Sequence, residues 1–226
     1  MTSYIVAGTR PWNKAIFAKR ISMYSGDWWY IETLADLQEH LALNPRYIFF
    51  LHWSDIVPSE IVAAYECVCF HPSDLPKGRG GSPIQNLIWR DDEKATKLTA
   101  FRMTDELDAG PIYLQRPLDL SGSAEDIFER EMLLASEMIW RIVTDEIQPK
   151  PQRGEPTYFK RRKPEQSKLP SWGTAEEIYD FIRMLDADTY PRAFVELDGY
   201  YIEFSNAQLL EDKVVATATF LETDDD

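Results

Sequence analysis

Short apolar segments alternate with amphipathic segments through the first third of this 226-residue chain, and this alternation constrains the fold more than any other feature. The segments SYIVAG, DWWYIE, RYIFFLHW and ECVCFH are typical of strands, and NKAIFAKRIS, LADLQEHLAL and VPSEIVAAY are typical of the helices between them. Strands that alternate with helices form a parallel sheet with right-handed crossovers. The sequence therefore predicts an α/β fold whose ligands bind beyond the carboxyl ends of the strands.

The rest of the chain predicts a different arrangement. ATKLTAFRM and IYLQRPLDL predict an antiparallel pair joined by TDELDAGP, and AEDIFEREMLLASEMIWRIVTDEI predicts a long amphipathic helix. Between Gln148 and Pro170 the composition shifts to Pro, Lys and Arg, which is typical of an extended segment. The helix TAEEIYDFIRMLDA and the strands AFVEL, YYIEFS and VVATATF follow, and ETDDD predicts a solvated tail. We expect a Rossmann-like parallel-sheet core over residues 1–148, and a linker with a small α+β C-terminal subdomain over residues 149–226.

The charge balance is acidic, with 24 Lys and Arg against 38 Asp and Glu and a formal net charge of −14. Such a field repels phosphate backbones, so it disfavours nucleic acid as a partner. No run approaches the roughly 20 apolar residues of a membrane span, and the first residues lack the shape of a signal peptide. We therefore expect a cytoplasmic protein with no nucleic-acid or membrane partner.

The two cysteines, Cys67 and Cys69, alternate on one predicted strand. Residues so close on an extended strand are poorly placed for a disulfide without strain. Together with His71 they offer three metal ligands, but no second Cys/His cluster in the sequence supplies the rest of a typical shell. We therefore expect no metal site.

His71 ends an apolar strand and opens the loop HPSDLPKGRGGSP, while Asp108 lies in the turn TDELDAGP. Each has an ordinary structural explanation, since a histidine at a strand end is often structural and Asp before Gly is common in hairpins. In combination they provide an imidazole and an orienting carboxylate, the parts that a proton-transfer site needs. The loop itself lacks the spacing of a dinucleotide fingerprint or a P-loop.

These motifs resemble those of a known family. HPSDLPKGRGGSPIQN is similar to the signature loop of the folate-dependent formyltransferases, whose usual form is Asn-x-His-Pro-Ser-x-Leu-Pro-x-x-Arg-Gly. TDELDAGPIYLQ resembles the second signature, an Asp in a Leu-Asp-small-Gly turn, and TYFKRRKPEQSKL is similar to a segment of the branch that formylates nucleotide-linked amino sugars. The resemblance covers most of residues 1–170.

The resemblance implies that N10-formyltetrahydrofolate is the formyl donor and that a primary amine attacks the formyl carbon. It implies that His71 handles the amine's proton and helps to stabilise the oxyanion, while Asp108 holds and polarises the imidazole. It also implies a pterin site made largely of backbone, to which we assign Trp53, Ser54, Ile56, Ser73, Leu75, Pro76, Met103 and Asp105.

Cys69 departs from the family pattern, which usually has an Asn that donates to the oxyanion. A thiol is a weak donor, and loss of one such donor costs on the order of a hundredfold or more in rate. Three readings remain open: an active site with Cys69 as a weak helper, replacement by another donor such as Asn86 or a water, and a degenerate protein. A covalent mechanism with Cys69 as the nucleophile is a further, less favoured reading.

The choice of acceptor depends on the remaining features. An acidic and short segment over residues 171–226 disfavours methionyl-tRNA, and the single glycine of AGTRPWN disfavours glycinamide ribonucleotide. We therefore predict a nucleotide-linked amino sugar, a 4-amino-4,6-dideoxyhexose or a pseudaminic-acid-type precursor, used in surface carbohydrate (lipopolysaccharide) synthesis. Its expected contacts combine cations for a diphosphate with aromatic rings for stacking, and are Arg10, Trp12, Arg79, Tyr158, Lys160 and Arg161.

Two rival functions belong to other classes. A catalytically silent module would bind folate or a nucleotide sugar without turnover, and a hydrolase would pass the formyl group to water. On resemblance alone we also expect a homodimer.

Overall fold

The computed structural model describes residues 1–197 and 199–222, so the predicted tail at residues 223–226 lies outside the described residues. The chain divides into two compact units. The first contains Met1–Gly80, Thr96–Leu118 and Phe128–Tyr158, and the second contains Gly81–Ala95, Asp119–Ile127 and Phe159–Asp226. The predicted boundary near residue 148 stays a prediction.

The described elements follow the predicted order closely. The strands are β1 (Ser3–Gly8), β2 (Asp27–Ile31), β3 (Tyr47–Leu51), β4 (Cys67–His71), β5 (Arg79–Gly80), β6 (Ala95–Arg102), β7 (Ile112–Asp119), β8 (Tyr158–Phe159), β9 (Ala193–Leu197), β10 (Tyr200–Leu210) and β11 (Lys213–Glu222). The helices are α1 (Pro11–Lys19), α2 (Leu34–His40), α3 (Ser59–Ala64), α4 (Pro83–Trp89), α5 (Ala124–Thr144) and α6 (Ala175–Arg183).

The main sheet has six strands in the order β2-β1-β3-β4-β6-β7. The first four strands run parallel, and β6 is antiparallel to β4. Every residue of β3 is buried, as expected for a central strand that is covered on both faces. This α/β sheet confirms the predicted fold class, and it brings the carboxyl ends of β1, β3 and β4 to one edge.

The long helix α5 has the predicted apolar face. Ile127, Met132, Met138 and Ile142 are all buried, with exposures of 2% or less. Leu134, which the same pattern places in the core, is only half-buried. The apolar spacing therefore identifies the buried face correctly, with one residue at its margin.

The second unit contains the small C-terminal sheet, in the order β11-β10-β9, and the helix α6. The side chain of Thr174 accepts the backbone N–H of Glu177, and this capping box begins α6 where the sequence TAEE predicts a start. Helix α4 was not predicted. No helix among the described residues has the length and apolar character needed to cross a bilayer.

Candidate active site

His71 is the last residue of β4, and its Nε2 lies 2.8 Å from the carbonyl oxygen of Gly78. A carbonyl oxygen only accepts, so Nε2 carries the proton and donates it, and the lone pair of the neutral ring lies on Nδ1. Oδ2 of Asp108 lies 3.8 Å from Nδ1, and the two side chains are 9% and 14% exposed. The Gly78 carbonyl therefore orients the ring, while the nearby carboxylate is placed to stabilise the protonated imidazole.

Asp108 is positioned by its turn. Its φ of 49° is left-handed, a conformation that Asp tolerates better than most residues. The backbone N–H of Gly80 donates to Oδ2 at 2.8 Å, and the side-chain amide of Gln152 donates to the Asp108 carbonyl at 2.8 Å. A Cβ on Gly110 would lie 1.7 Å from the Arg102 carbonyl oxygen, so the turn needs a glycine there. The Gly80 N–H thus holds the carboxylate, while Gln152 and Gly110 fix the backbone of its turn.

Arg79 is buried and organises the loop that follows β4. Its guanidinium donates to Glu106 at 3.0 Å and to Gln152 at 2.8 Å, and it lies 5.9 Å from the centroid of the Tyr158 ring. With only 7% of its surface exposed, Arg79 connects the predicted catalytic turn to Tyr158. The structure therefore brings these two predicted binding residues together and gives Arg79 a supporting contact network.

Cys69 lies in β4 opposite Phe50, and packs with Trp53 and Met103 against the apolar cluster around Phe50. Burial, and then the negative charges of Asp108 and Glu131, raise the pKa of the Cys69 thiol. The thiol therefore stays protonated at neutral pH. A neutral thiol is a weak donor and a poor nucleophile, which disfavours the covalent reading of this site.

The residues predicted to bind the pterin differ in exposure. Ser54, Ile56 and Asp105 are exposed, whereas Ser73 and Leu75 are buried in the loop after β4. The peptide bond before Pro76 is cis. The other two predicted contacts, Trp53 and Met103, are half-buried beside Cys69. Of the predicted pterin contacts, the structure therefore brings Trp53 and Met103 together beside Cys69.

The residues predicted to bind the acceptor are distributed over both units. Trp12 is 8% exposed, and its ring stacks on Phe128 at 5.1 Å, so the ring serves packing. The backbone N–H of Arg10 donates to Asn13 at the start of α1. Tyr158 is 53% exposed in the first unit. The last two predicted contacts, Lys160 and Arg161, are exposed residues of the second unit.

Two residues at this edge were missed by the sequence analysis. His52 follows β3, and its Nε2 lies 3.0 Å from Oε2 of Glu131, which is fully buried on α5. The signal was present, because His52 ends an apolar strand in the way that His71 does, and Glu131 interrupts an apolar helix face. Asn86, considered as a replacement donor, instead donates to the carbonyls of Gly81 and Ser82.

Among the described residues, no group of three or more His, Cys, Asp or Glu side chains could hold a metal ion. His71 and Asp108 provide the imidazole and the carboxylate that proton transfer uses.

Two family matches cover most of the chain. Residues 32–135 match the family described as "Formyl transferase", and residues 164–221 match "Methionyl-tRNA formyltransferase, C-terminal domain". A methionyl-tRNA formyltransferase of Bacillus thuringiensis (strain Al Hakam) is 33% identical over 177 residues, which are 74% of this chain and 55% of that protein. The chain thus spans about half the length of the curated relatives it matches.

Among solved structures, the chain is similar to "Methionyl-tRNA formyltransferase from Clostridium thermocellum", with 40% identity and a TM-score of 0.92. This similarity covers 99% of this chain and 100% of that one. A likely sugar N-formyltransferase from Mycobacterium tuberculosis is 19% identical, with a TM-score of 0.70 and full coverage of both chains. At that identity the second similarity shows the fold alone.

These similarities correct the predicted acceptor. The prediction of a nucleotide-linked amino sugar in surface carbohydrate synthesis is wrong, and so is the exclusion of a nucleic-acid partner, because the well-matched relatives are methionyl-tRNA formyltransferases. The error came from judging residues 171–226 by their acidic composition. Most of that region, residues 171–221, nevertheless falls within the match to the C-terminal domain of those enzymes.

Proposed function

Because this chain belongs to the formyl transferase family, we propose that it transfers the formyl group of N10-formyltetrahydrofolate to the amine of methionyl-tRNA. The observation that carries the acceptor is the 40% identity, over the whole of both chains, to the methionyl-tRNA formyltransferase structure of Clostridium thermocellum. The prediction of a formyltransferase that uses N10-formyltetrahydrofolate is confirmed at the level of the family.

The residues of the first unit fit a folate. Four buried side-chain polar atoms in this unit have no hydrogen-bond partner among the described residues, and they belong to Trp53, Ser73, Arg79 and Glu131. Two of these residues, Trp53 and Ser73, are predicted pterin contacts. Buried polar atoms are seldom unpaired, so the unpaired atoms of Trp53 and Ser73 support a ligand rich in donors and acceptors.

The donor supplies an activated formyl carbon, and the chain's own residues supply the proton transfers. The acceptor amine reaches the site after losing one proton to solvent, and attacks as the neutral amine. Nδ1 of His71 then takes the second proton, while Gly78 keeps hold of Nε2–H and Asp108 stabilises the imidazolium. Protonated Nδ1 becomes a donor for the oxyanion and returns its proton to the departing nitrogen.

Local charge supports an RNA acceptor despite the acidic total. The segment PKPQRGEPTYFKRRK contains six Lys and Arg residues and one acid. Five of its cations are exposed, and they are Lys150, Arg153, Lys160, Arg161 and Lys163. Lys160, Arg161 and Lys163 are neighbours within the second unit, and exposed cations so close in the chain can contact phosphates even on a protein whose summed charge is negative.

The proposal is tested by tetrahydrofolate release. The purified chain is mixed with N10-formyltetrahydrofolate and methionylated initiator tRNA, and in a parallel reaction with the same tRNA lacking methionine. We expect release only with the aminoacylated tRNA, and none with His71→Asn. Equal release without an acceptor would indicate a hydrolase, and folate binding without any release would indicate a silent module; either result would overturn the proposal.

A further inference from the structure

His52 and His71 occupy equivalent places on neighbouring strands. Phe50 of β3 is paired with Cys69 of β4, and each histidine lies two residues further along the chain, His71 as the last residue of β4 and His52 just after β3. Each also faces a carboxylate, Asp108 for His71 and Glu131 for His52. The candidate active site therefore stands beside a second histidine and carboxylate pair that the proposed proton transfers do not use.

The hydrogen bonds of His52 fix its protonation. The indole nitrogen of Trp12 lies 2.6 Å from Nδ1, and the side-chain amide nitrogen of Asn13 lies 3.3 Å from the same atom. An indole N–H only donates, so Nδ1 is an acceptor and the ring proton is on Nε2, which donates to Glu131 at 3.0 Å. Both ring nitrogens are occupied, so His52 is held in place and is not free to act as a base.

Burying the carboxylate of Glu131 lowers the free energy of unfolding, because a charged group loses its hydration. Glu131 is fully buried, its Oε2 accepts from His52, and its Oε1 has no hydrogen-bond partner among the described residues. An apolar residue of similar volume is often as stabilising as a buried charged group, or more so. The burial of a half-satisfied carboxylate therefore points to a role other than stability.

The His52–Glu131 pair lies at the start of the segment that joins β3 to Val57. The φ of His52, 47°, is left-handed, a conformation that is uncommon for residues other than glycine, and its carbonyl accepts the Thr9 hydroxyl at 3.1 Å. The next residue, Trp53, packs against the apolar cluster around Phe50. Residues 54–56 are then exposed until the chain is buried again at Val57. The exposed residues 54–56 thus lie between two packed residues, Trp53 and Val57.

We propose that His52 and Glu131 are positioning residues that hold residues 53–56 in the conformation that binds folate. The inference rests on the proposed function, because it assigns this segment to the folate side of that same site. Trp12 and Asn13 complete the anchor from α1. The pair acts through the segment it holds, so it sets the affinity for folate and leaves the proton transfers at His71 unchanged.

The test compares Glu131→Leu with Glu131→Gln. Leucine fills the space but accepts no hydrogen bond, whereas the glutamine oxygen still accepts Nε2–H of His52. We expect Glu131→Leu to raise the KM for N10-formyltetrahydrofolate about tenfold or more, with kcat and the KM for methionyl-tRNA within about threefold of the parent. Glu131→Gln is expected to keep the folate KM within about threefold. Ile139→Val, a buried change on the same helix, controls for lost stability.

The outcomes separate this inference from the proposed function. Tetrahydrofolate affinity is also measured directly by calorimetry, at a temperature where each variant is folded. A parent chain that binds no folate would overturn both. A parent that binds and turns over, with a Glu131→Leu variant whose folate affinity is unchanged, would overturn the inference alone. A folate KM raised equally in Glu131→Leu and Ile139→Val would also overturn it, since stability would then be the cause.

Discussion

Replacing Asp108 by Asn removes one negative charge beside His71 while keeping the size of the side chain. Asn adopts the left-handed φ of 49° readily, and its oxygen can still accept the Gly80 N–H. Two unit charges 3.8 Å apart interact by about 4 kcal/mol at an effective dielectric constant of about 20. If the full imidazolium charge is present in the rate-limiting transition state, losing that energy lowers kcat about a thousandfold.

The assay is tetrahydrofolate release at saturating methionyl-tRNA and N10-formyltetrahydrofolate, with both KM values measured. The matched control is Asp92→Asn, since Asp92 also has a φ of 49° but forms an exposed ion pair with Lys94. We expect the control to keep the parent kcat. An Asp108→Asn variant with an unchanged melting temperature and a kcat within about tenfold of the parent would refute the electrostatic role assigned to this carboxylate.

Four further predictions concern other parts of the chain. Cys69→Ala is expected to keep measurable turnover in the release assay, because the protonated thiol is only a weak donor; an inactive variant would indicate an essential thiol. Burial raises the pKa of Cys67 from 9.0 to about 12, so the thiol ionises in the unfolded chain at a lower pH than in the folded chain. The stability that the buried thiol contributes is therefore complete below about pH 9 and is lost as the pH rises towards about 12. Denaturant titrations should show a steeper alkaline loss of the free energy of unfolding in the parent than in Cys67→Ala. Gly110→Ala places a Cβ against the Arg102 carbonyl and should lower the free energy of unfolding by about 3 kcal/mol or more in the same titration, whereas a loss below about 1 kcal/mol would show that the turn can adjust. The expected homodimer is checked by sedimentation, where a monomer at micromolar concentration would contradict it.

The parts of the fold that repeat a simple pattern could be predicted from the sequence. The buried strands β1, β3 and β4 are short apolar runs, and α5 has apolar residues at helical spacing. Helix α4 was missed because the glycines before it were interpreted as a loop, although Pro83 at its first turn is a recognised start signal. The turn at Ser82, with a φ of 52°, makes that abrupt start possible.

The candidate site could be predicted only in part. The motifs identified His71 and Asp108, but the contact that orients the ring comes from the Gly78 carbonyl, and a backbone acceptor has no signature in the sequence. His52 and Glu131 are 79 residues apart in the chain, so no local pattern joins them. The acceptor was wrong for a different reason, because methionyl-tRNA was disfavoured on the acidic composition of residues 171–226, although most of that region matches the C-terminal domain of the methionyl-tRNA formyltransferases.

The most direct test of the proposed function is the product itself. The chain is incubated with N10-formyltetrahydrofolate and methionylated initiator tRNA, the tRNA is digested with nuclease, and the released methionyl-adenosine is examined by mass spectrometry. We expect the methionyl group to gain one formyl group with the parent chain and none with His71→Asn. Unmodified methionyl-adenosine from the parent, under conditions where it binds the folate, would contradict the assignment of methionyl-tRNA as the acceptor.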